Sequence, residues 1–142
     1  MKRQIANLLG VFGLLLVAAC ANAQSVNVKA NVPFDFVVGN VTLPAGAYSI
    51  QSINDGIGSP TLLIRGRNNK QGRLVGSDAA ENLNPAATSH LLFHRYGGTY
   101  FLAQIWMQGE QHGRELRKTR RETEMAKNVR PSEDAIVLAS LR

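Results

Sequence analysis

The residues after position 25 alternate between apolar and polar side chains, which is the pattern of a half-buried β-strand. Every second residue from 26 to 36 is apolar: Val26, Val28, Ala30, Val32, Phe34 and Phe36. A period of two directs one set of side chains to a core and the other set to solvent. Pro33 falls in the polar set and cannot donate a backbone hydrogen bond, so the pattern predicts an edge position or a bulge there.

Further short strands are predicted between clusters of turn-forming residues. Candidate strands cover residues 47–53, 61–67 and 73–77, each bounded by Gly, Pro, Asn or Ser. Residues 78–89 are small and polar, so we expect an exposed loop there.

The clearest supersecondary pattern is a β-hairpin over residues 89–109. Gly97 and Gly98 form its two-residue turn, for which we expect type I′ geometry with φ positive at both glycines. The resulting register pairs Tyr96 with Thr99, Arg95 with Tyr100, His94 with Phe101, Phe93 with Leu102, and Leu92 with Ala103. Both faces of the hairpin carry apolar groups, which predicts a central place in the fold.

Residues 113–127 change character and are predicted to form an α-helix. The segment is rich in helix formers and contains no proline. A thin stripe of small and apolar residues recurs on one face: Leu116, Thr119, Thr123 and Ala126. Pro131 ends the segment, and the apolar run 135–141 is predicted to be the last strand.

Together these elements predict a mainly β protein of about seven strands, with one helix in the carboxy-terminal half before the last strand. The expected architecture is a small antiparallel β-barrel or β-sandwich. A transthyretin- or immunoglobulin-like sandwich is the alternative.

The amino-terminal segment predicts export. A basic start at residues 2–3 precedes the apolar run 5–17, and small residues lead to a cleavage site between Ala23 and Gln24. The predicted organisation is a signal peptide at 1–23 and a single β-rich domain at 24–142. Cleavage leaves 119 of the 142 residues, enough for one core. The expected location is periplasmic or extracellular.

The same segment contains a second processing signal. Residues 17–20 resemble a bacterial lipobox, in which Cys20 would be acylated and would anchor a lipoprotein to a membrane. Soluble export is favoured because the first strand starts near Val26 and leaves almost no tether. Cys20 is also the only cysteine of the chain, so its removal excludes disulfides and thiolate metal sites in the mature domain.

The residues that could carry chemistry do not form a recognisable catalytic motif. His90 and His94 are four residues apart, which on a strand separates them by about 13 Å and does not suit a shared zinc ion. No cofactor is expected. The alternative to a non-enzymatic domain is a small envelope enzyme or metal-dependent protein that uses these two histidines in a barrel mouth.

The densest basic run lies in the predicted helix. Arg114, Arg117, Lys118 and Arg121 would share one broad face, which could bind an anionic surface such as lipid headgroups or envelope polysaccharide. Glutamates at 122 and 124 would form i,i+4 pairs with residues 118 and 120, and a solvated helix with such pairs is the alternative. Signal cleavage lowers the net charge from +6 to +4, and export does not favour nucleic acid as a partner.

Four sequence elements together resemble a family of small exported bacterial proteins without a known activity. They are VPFDF at 32–36, LPAGAY at 43–48, FHRYG at 93–97 and GREL at 113–116. The resemblance covers most of the mature chain and implies a secreted β-rich domain. The Pro-Ala-Gly-x-Tyr element also occurs in transthyretin-like and carboxypeptidase-regulatory-like sandwiches. The sequence therefore predicts an exported non-enzymatic domain that binds an envelope component or protein, or has a structural role.

Overall fold

The structure is a computed structural model that describes residues 25–54, 60–68 and 72–141. These residues form ten strands and one helix: β1 Asn27–Val32, β2 Phe36–Val38, β3 Val41–Leu43, β4 Gly46–Asn54, β5 Thr61–Gly66, β6 Arg73–Glu81, β7 His90–Tyr96, β8 Thr99–Trp106, β9 His112–Leu116, α1 Arg120–Asn128 and β10 Ala135–Leu141. The predicted signal peptide, its cleavage site at Ala23–Gln24 and Cys20 lie outside the described residues.

Eight of the strands close into an antiparallel β-barrel. Their order around the barrel is β1, β4, β5, β6, β9, β8, β7 and β10, and β10 pairs back with β1. Closure depends on the second half of β8, where Gln104 pairs with Glu115 and Ile105 with Arg114 of β9. β2 lies parallel to the first half of β8, and β3 pairs with β2 outside the barrel. The predicted small barrel with one helix before the last strand is confirmed, and the sandwich alternative is wrong.

The apolar set of the strands fills the barrel interior. Val28, Ile50 and Phe93 come from three different strands and are almost completely buried. The ring of Phe93 meets Phe34 and Phe36 edge-on, with centroid distances of 5.1 and 5.4 Å. The interior is therefore packed with side chains, and burial of this apolar surface is the main driving force for folding.

Pro33 divides the predicted first strand into two. β1 ends at Val32, the chain bends, and β2 begins at Phe36. The alternation survives the bend, because Val32 and Phe36 are both buried and Phe34 is half-buried. The ring of Phe34 stacks on Tyr100 of β8 at 3.8 Å. The bend thus moves the second half of the segment from one strand neighbour to another.

The hairpin turn at Gly97 and Gly98 is confirmed, but its predicted type is wrong. Gly97 has a left-handed φ of 61°, whereas Gly98 does not have a positive φ. One positive φ at the first central residue is the pattern of a type II′ turn rather than type I′.

The predicted hairpin register holds next to the turn and fails beyond Phe93. Phe93 pairs with Leu102 as expected, but Leu92 pairs with Gln104 instead of Ala103. A bulge at this point adds one residue to β8, which no feature of the two-residue turn specifies.

β6 is longer than the sequence predicts. It continues to Glu81 because residues 77–81 pair with β9, so only the part after residue 81 is a loop. Pairing with another strand here outweighs the weak strand preference of small polar residues.

The predicted helix at 113–127 is wrong in its first half. Residues 113–116 belong to β9, which pairs with β6 and β8, and Leu116 enters the barrel core. The helix begins only at Arg120, where Thr119 is the N-cap and its hydroxyl accepts from the backbone N–H of Glu122 at 3.2 Å. Tertiary pairing overrides the helix propensity of the GREL segment.

Helix α1 packs on the outer face of the β7–β8 hairpin. Met125, Ala126 and Val129 pack against the buried cluster of Val37, Tyr96 and Phe101. The helix therefore covers the outer face of the hairpin near its turn, while the inner face of the hairpin lines the core. This arrangement confirms the prediction that an apolar surface on both faces gives the hairpin a central place.

Candidate functional site

Outward-facing side chains of β10, β1, β4 and β5 form a groove on the barrel surface. Its cavity volume is about 820 Å³. We call it the basic groove, and the lining side chains that matter below are Lys29, Ser49, Arg65, Arg67, Leu138 and Ser140.

Strand register brings the cations of the basic groove together. Lys29 pairs with Ser49 on β4, and Ser49 pairs with Arg65 on β5. Lys29 and Arg65 are thus two strand spacings apart, or about 10 Å. Arg67 follows on the same face, and its backbone N–H donates to the Ala47 carbonyl at 2.9 Å, which extends the ladder by one bond. Three positive side chains therefore face one cavity.

The basic groove is electrostatically one-sided. Among the described residues that line it there is no Asp or Glu, and no carboxylate of the described segments forms an ion pair with Lys29, Arg65 or Arg67. Arginine presents a planar fork of donors that matches carboxylate and phosphate oxygens, and lysine adds a compact point charge. The groove is therefore suited to an anion rather than to a neutral or positive ligand.

One wall of the basic groove is apolar and continues beyond it. Leu138 lines the groove and is 68% exposed, and Ile136, on the same face of β10, is 62% exposed. Ile136 lies directly opposite Leu92 of β7, which is partly exposed on the outer face. We call Leu138, Ile136 and Leu92 the apolar strip.

A buried carboxylate lies under helix α1. Glu122 is only 5% exposed. His94 donates from Nδ1 to its Oε1 at 2.8 Å, and the hydroxyl of Tyr96 lies 3.4 Å from the same oxygen. The hydrogen bond to Glu122 raises the pKa of His94 above its usual value, although partial burial acts against this. The cluster joins the first turn of α1 to β7 and acts as a structural link.

The two histidines proposed as an alternative active site are not brought together. His94 faces the helix through Glu122, while His90 Nδ1 lies 2.9 Å from the Thr88 carbonyl oxygen. His112, the third histidine, is exposed near Glu81. Within the described part of the chain, no three His, Cys, Asp or Glu side chains are placed to hold a metal ion.

The predicted basic helical face does not form. Arg114 lies in β9, Arg117 and Lys118 precede the helix, and only Arg121 belongs to α1. Arg117 is also engaged by Asp78, with Nε–Oδ2 and Nη2–Oδ1 distances of 2.7 Å. The prediction placed these residues on one face because it started the helix too early.

The two predicted i,i+4 ion pairs have different outcomes. Arg120 Nε and Glu124 Oε1 are 2.9 Å apart, as expected. Lys118 does not pair with Glu122, since that carboxylate is turned inward to His94. Burial of Glu122 thus removes one of the charges that the sequence places around the basic run.

The basic groove is not predicted by the sequence. The available signal was weak: Lys29 falls in the polar set of β1, and Arg65 and Arg67 are two residues apart on one strand face. Only the pairing of β1 with β4, and of β4 with β5, shows that these cations share a cavity.

Comparison with protein-family profiles, curated proteins and solved structures finds no match to this chain. Among the described residues, no helix has the length and apolar character needed to cross a membrane.

Proposed function

We propose that the protein is an exported, non-enzymatic β-barrel domain that binds an anionic component of the cell envelope in its basic groove. One observation carries the proposal: Lys29, Arg65 and Arg67 converge on a single cavity without a carboxylate partner in the described segments. A bound anion would supply the missing negative charge.

The packing of the barrel supports binding on the outside. Residues such as Ile50, Ile64 and Phe93 fill the interior, so recognition is assigned to the outer surface. Attraction between exposed charges is screened over about 8 Å at physiological ionic strength. Binding should therefore weaken as salt is added, and retention on an anionic matrix such as phosphocellulose should show this.

The matched test compares two triple variants that remove the same charge. Lys29→Gln/Arg65→Gln/Arg67→Gln empties the basic groove of cations. Arg114→Gln/Lys118→Gln/Arg121→Gln neutralises three of the four basic residues that the sequence predicted to bind an anionic surface. It leaves the fourth, Arg117, unchanged because Arg117 already forms an ion pair with Asp78. We expect the groove variant to elute from phosphocellulose at much lower salt than the second variant. If both variants elute at the same reduced salt concentration, retention depends only on net charge. If the second variant elutes at the lower salt concentration, the anion binds at Arg114, Lys118 and Arg121 instead.

Export is the second part of the proposal, and the intact mass of the protein from its native host tests it. A chain that begins at Gln24 and fractionates without detergent is the expected result. A chain that begins at Cys20 with added acyl mass would instead make the protein a membrane-anchored lipoprotein. This outcome would change its location without affecting the assignment of the groove.

A further inference from the structure

We propose that the ligand of the basic groove is an amphiphilic anion: a lipid whose phosphate-bearing headgroup lies in the groove and whose acyl chain lies on the apolar strip. This inference rests on the proposed function and adds the chemical class of the ligand. Its distinguishing observation is that exposed cations and exposed aliphatic side chains adjoin on one face of the barrel.

The two surfaces are continuous because Leu138 belongs to both. It lines the groove that holds the three cations, and it is two residues from Ile136 on the same face of β10. Arg65 on β5 and Leu138 on β10 are separated by three strand spacings, or about 14 Å across the sheet, and by two residues along it. Ile136 and its neighbour Leu92 extend the apolar surface further. A ligand with a charged end and a flexible tail can follow this path without a break.

The apolar strip presents aliphatic side chains to solvent directly beside the basic groove. Ile136 and Leu138 are 62% and 68% exposed, although the outward residues beside them in the groove are mainly polar or charged. Single exposed apolar residues are ordinary, whereas contiguous apolar patches rimmed by polar residues mark ligand-binding grooves and interaction sites. A free phosphate or a phosphorylated saccharide would leave the strip in water, and an apolar partner would leave the cations unpaired. A lipid anion satisfies both surfaces.

Three soluble probes separate the contributions of charge and chain: inorganic phosphate, hexyl phosphate and hexanol, each titrated calorimetrically. Contact that removes the equivalent of about two methylenes from water corresponds to about a tenfold gain in affinity. We therefore expect hexyl phosphate to bind at least about tenfold more tightly than inorganic phosphate. Hexanol, which lacks the charge, should bind most weakly.

Three double variants separate the contribution of the apolar strip from that of the basic groove. Ile136→Thr/Leu138→Thr places β-branched residues, which favour strands, at both positions of the exposed strand face, so the barrel should still fold. It should bind inorganic phosphate like the wild type and lose the tenfold advantage of hexyl phosphate. The control Leu74→Thr/Leu83→Thr alters two other exposed leucines and should retain that advantage. Arg65→Gln/Arg67→Gln should weaken binding of both phosphates.

The outcomes distinguish failure of this inference from failure of the proposed function. Equal affinities of the wild type for inorganic and hexyl phosphate would overturn the inference and leave the groove as an anion site. Tighter binding of mannose 6-phosphate than of hexyl phosphate would overturn it in favour of a phosphorylated saccharide. Binding of neither phosphate, or binding that is insensitive to Arg65→Gln/Arg67→Gln, would refute the groove itself.

Discussion

Replacing His94 with alanine should destabilise the folded protein by about 3 kcal/mol, because it leaves the Glu122 carboxylate buried without its closest partner. The Nδ1–Oε1 distance is 2.8 Å, and the remaining contact, from the Tyr96 hydroxyl, is 3.4 Å long. At that distance a hydroxyl donor interacts only weakly. Glu122 is therefore expected to depend mainly on His94 for its compensation.

The expected loss of stability depends on how deeply His94 and Glu122 are buried. A hydrogen bond to a charged group contributes about 1.5–3 kcal/mol, and breaking a buried ion pair costs about 3–5 kcal/mol. The side chains of His94 and Glu122 are 21% and 6% exposed. Water can therefore enter the space that alanine leaves, so the expected loss of stability is about 3 kcal/mol, at the lower end of the range for a buried pair. The melting temperature should fall by about 10 °C.

The effect should depend on pH with a definite sign. The hydrogen bond to Glu122 raises the pKa of His94 above its usual 6.5, Asp134 adds to the rise, and burial and Lys118 oppose it. The folded protein therefore binds this proton more tightly than the unfolded chain does. The stabilisation is complete below pH about 6.5 and is lost as the pH rises through the folded pKa. The difference between wild type and His94→Ala should shrink over that range.

Urea unfolding monitored by Trp106 measures the loss. Trp106 is the only tryptophan of the chain and is 5% exposed, so its emission should report unfolding. The matched control is His90→Ala, which removes the same residue type from the same strand and should cost little stability, because that ring is hydrogen-bonded to the exposed Thr88 carbonyl rather than to a buried carboxylate. The double variant His94→Leu/Glu122→Leu should lose less stability than the sum of the losses in the two single variants, because it leaves no buried charge without a partner. Equal, pH-independent losses in His94→Ala and His90→Ala would refute the reasoning.

Three further substitutions test local features of the fold by the same urea assay. Gly97→Val should destabilise the folded protein by about 1–3 kcal/mol, because a β-branched residue is strained at the φ of 61° that the turn requires. An unchanged urea midpoint would contradict this turn geometry. Gly113→Ala should destabilise by about 2–3 kcal/mol and shift the Trp106 emission, since an added Cβ would lie 2.7 Å from the Ile105 carbonyl oxygen and 2.8 Å from the indole ring. Thr119→Ala removes the N-cap hydroxyl of α1 and should lower stability by about 1 kcal/mol, whereas Thr119→Ser keeps the hydroxyl and should keep the stability. Equal losses in the two variants would show that the N-cap hydrogen bond does not stabilise the helix.

The sequence by itself determined the local pattern of this protein. Alternation along residues 26–36 predicted which side chains are buried, and the Gly97–Gly98 turn predicted the hairpin and its nearest pairs. Both predictions succeed because they depend on interactions between residues that are close in sequence. The mainly β class and the helix before the last strand follow from the same kind of information.

Tertiary structure decided the rest, because strand pairing between distant segments cannot be inferred from local preference. The GREL segment has the composition of a helix, yet Leu116 gains more by entering the barrel core beside β6 and β8. The basic groove arises in the same way: Lys29 and Arg65 are far apart in the chain and meet only because β4 pairs with both of their strands. Burial of Glu122 likewise required the helix to dock on His94. Local chemistry thus determined most of the elements, whereas long-range pairing decided that the GREL segment is a strand and which charges share a site.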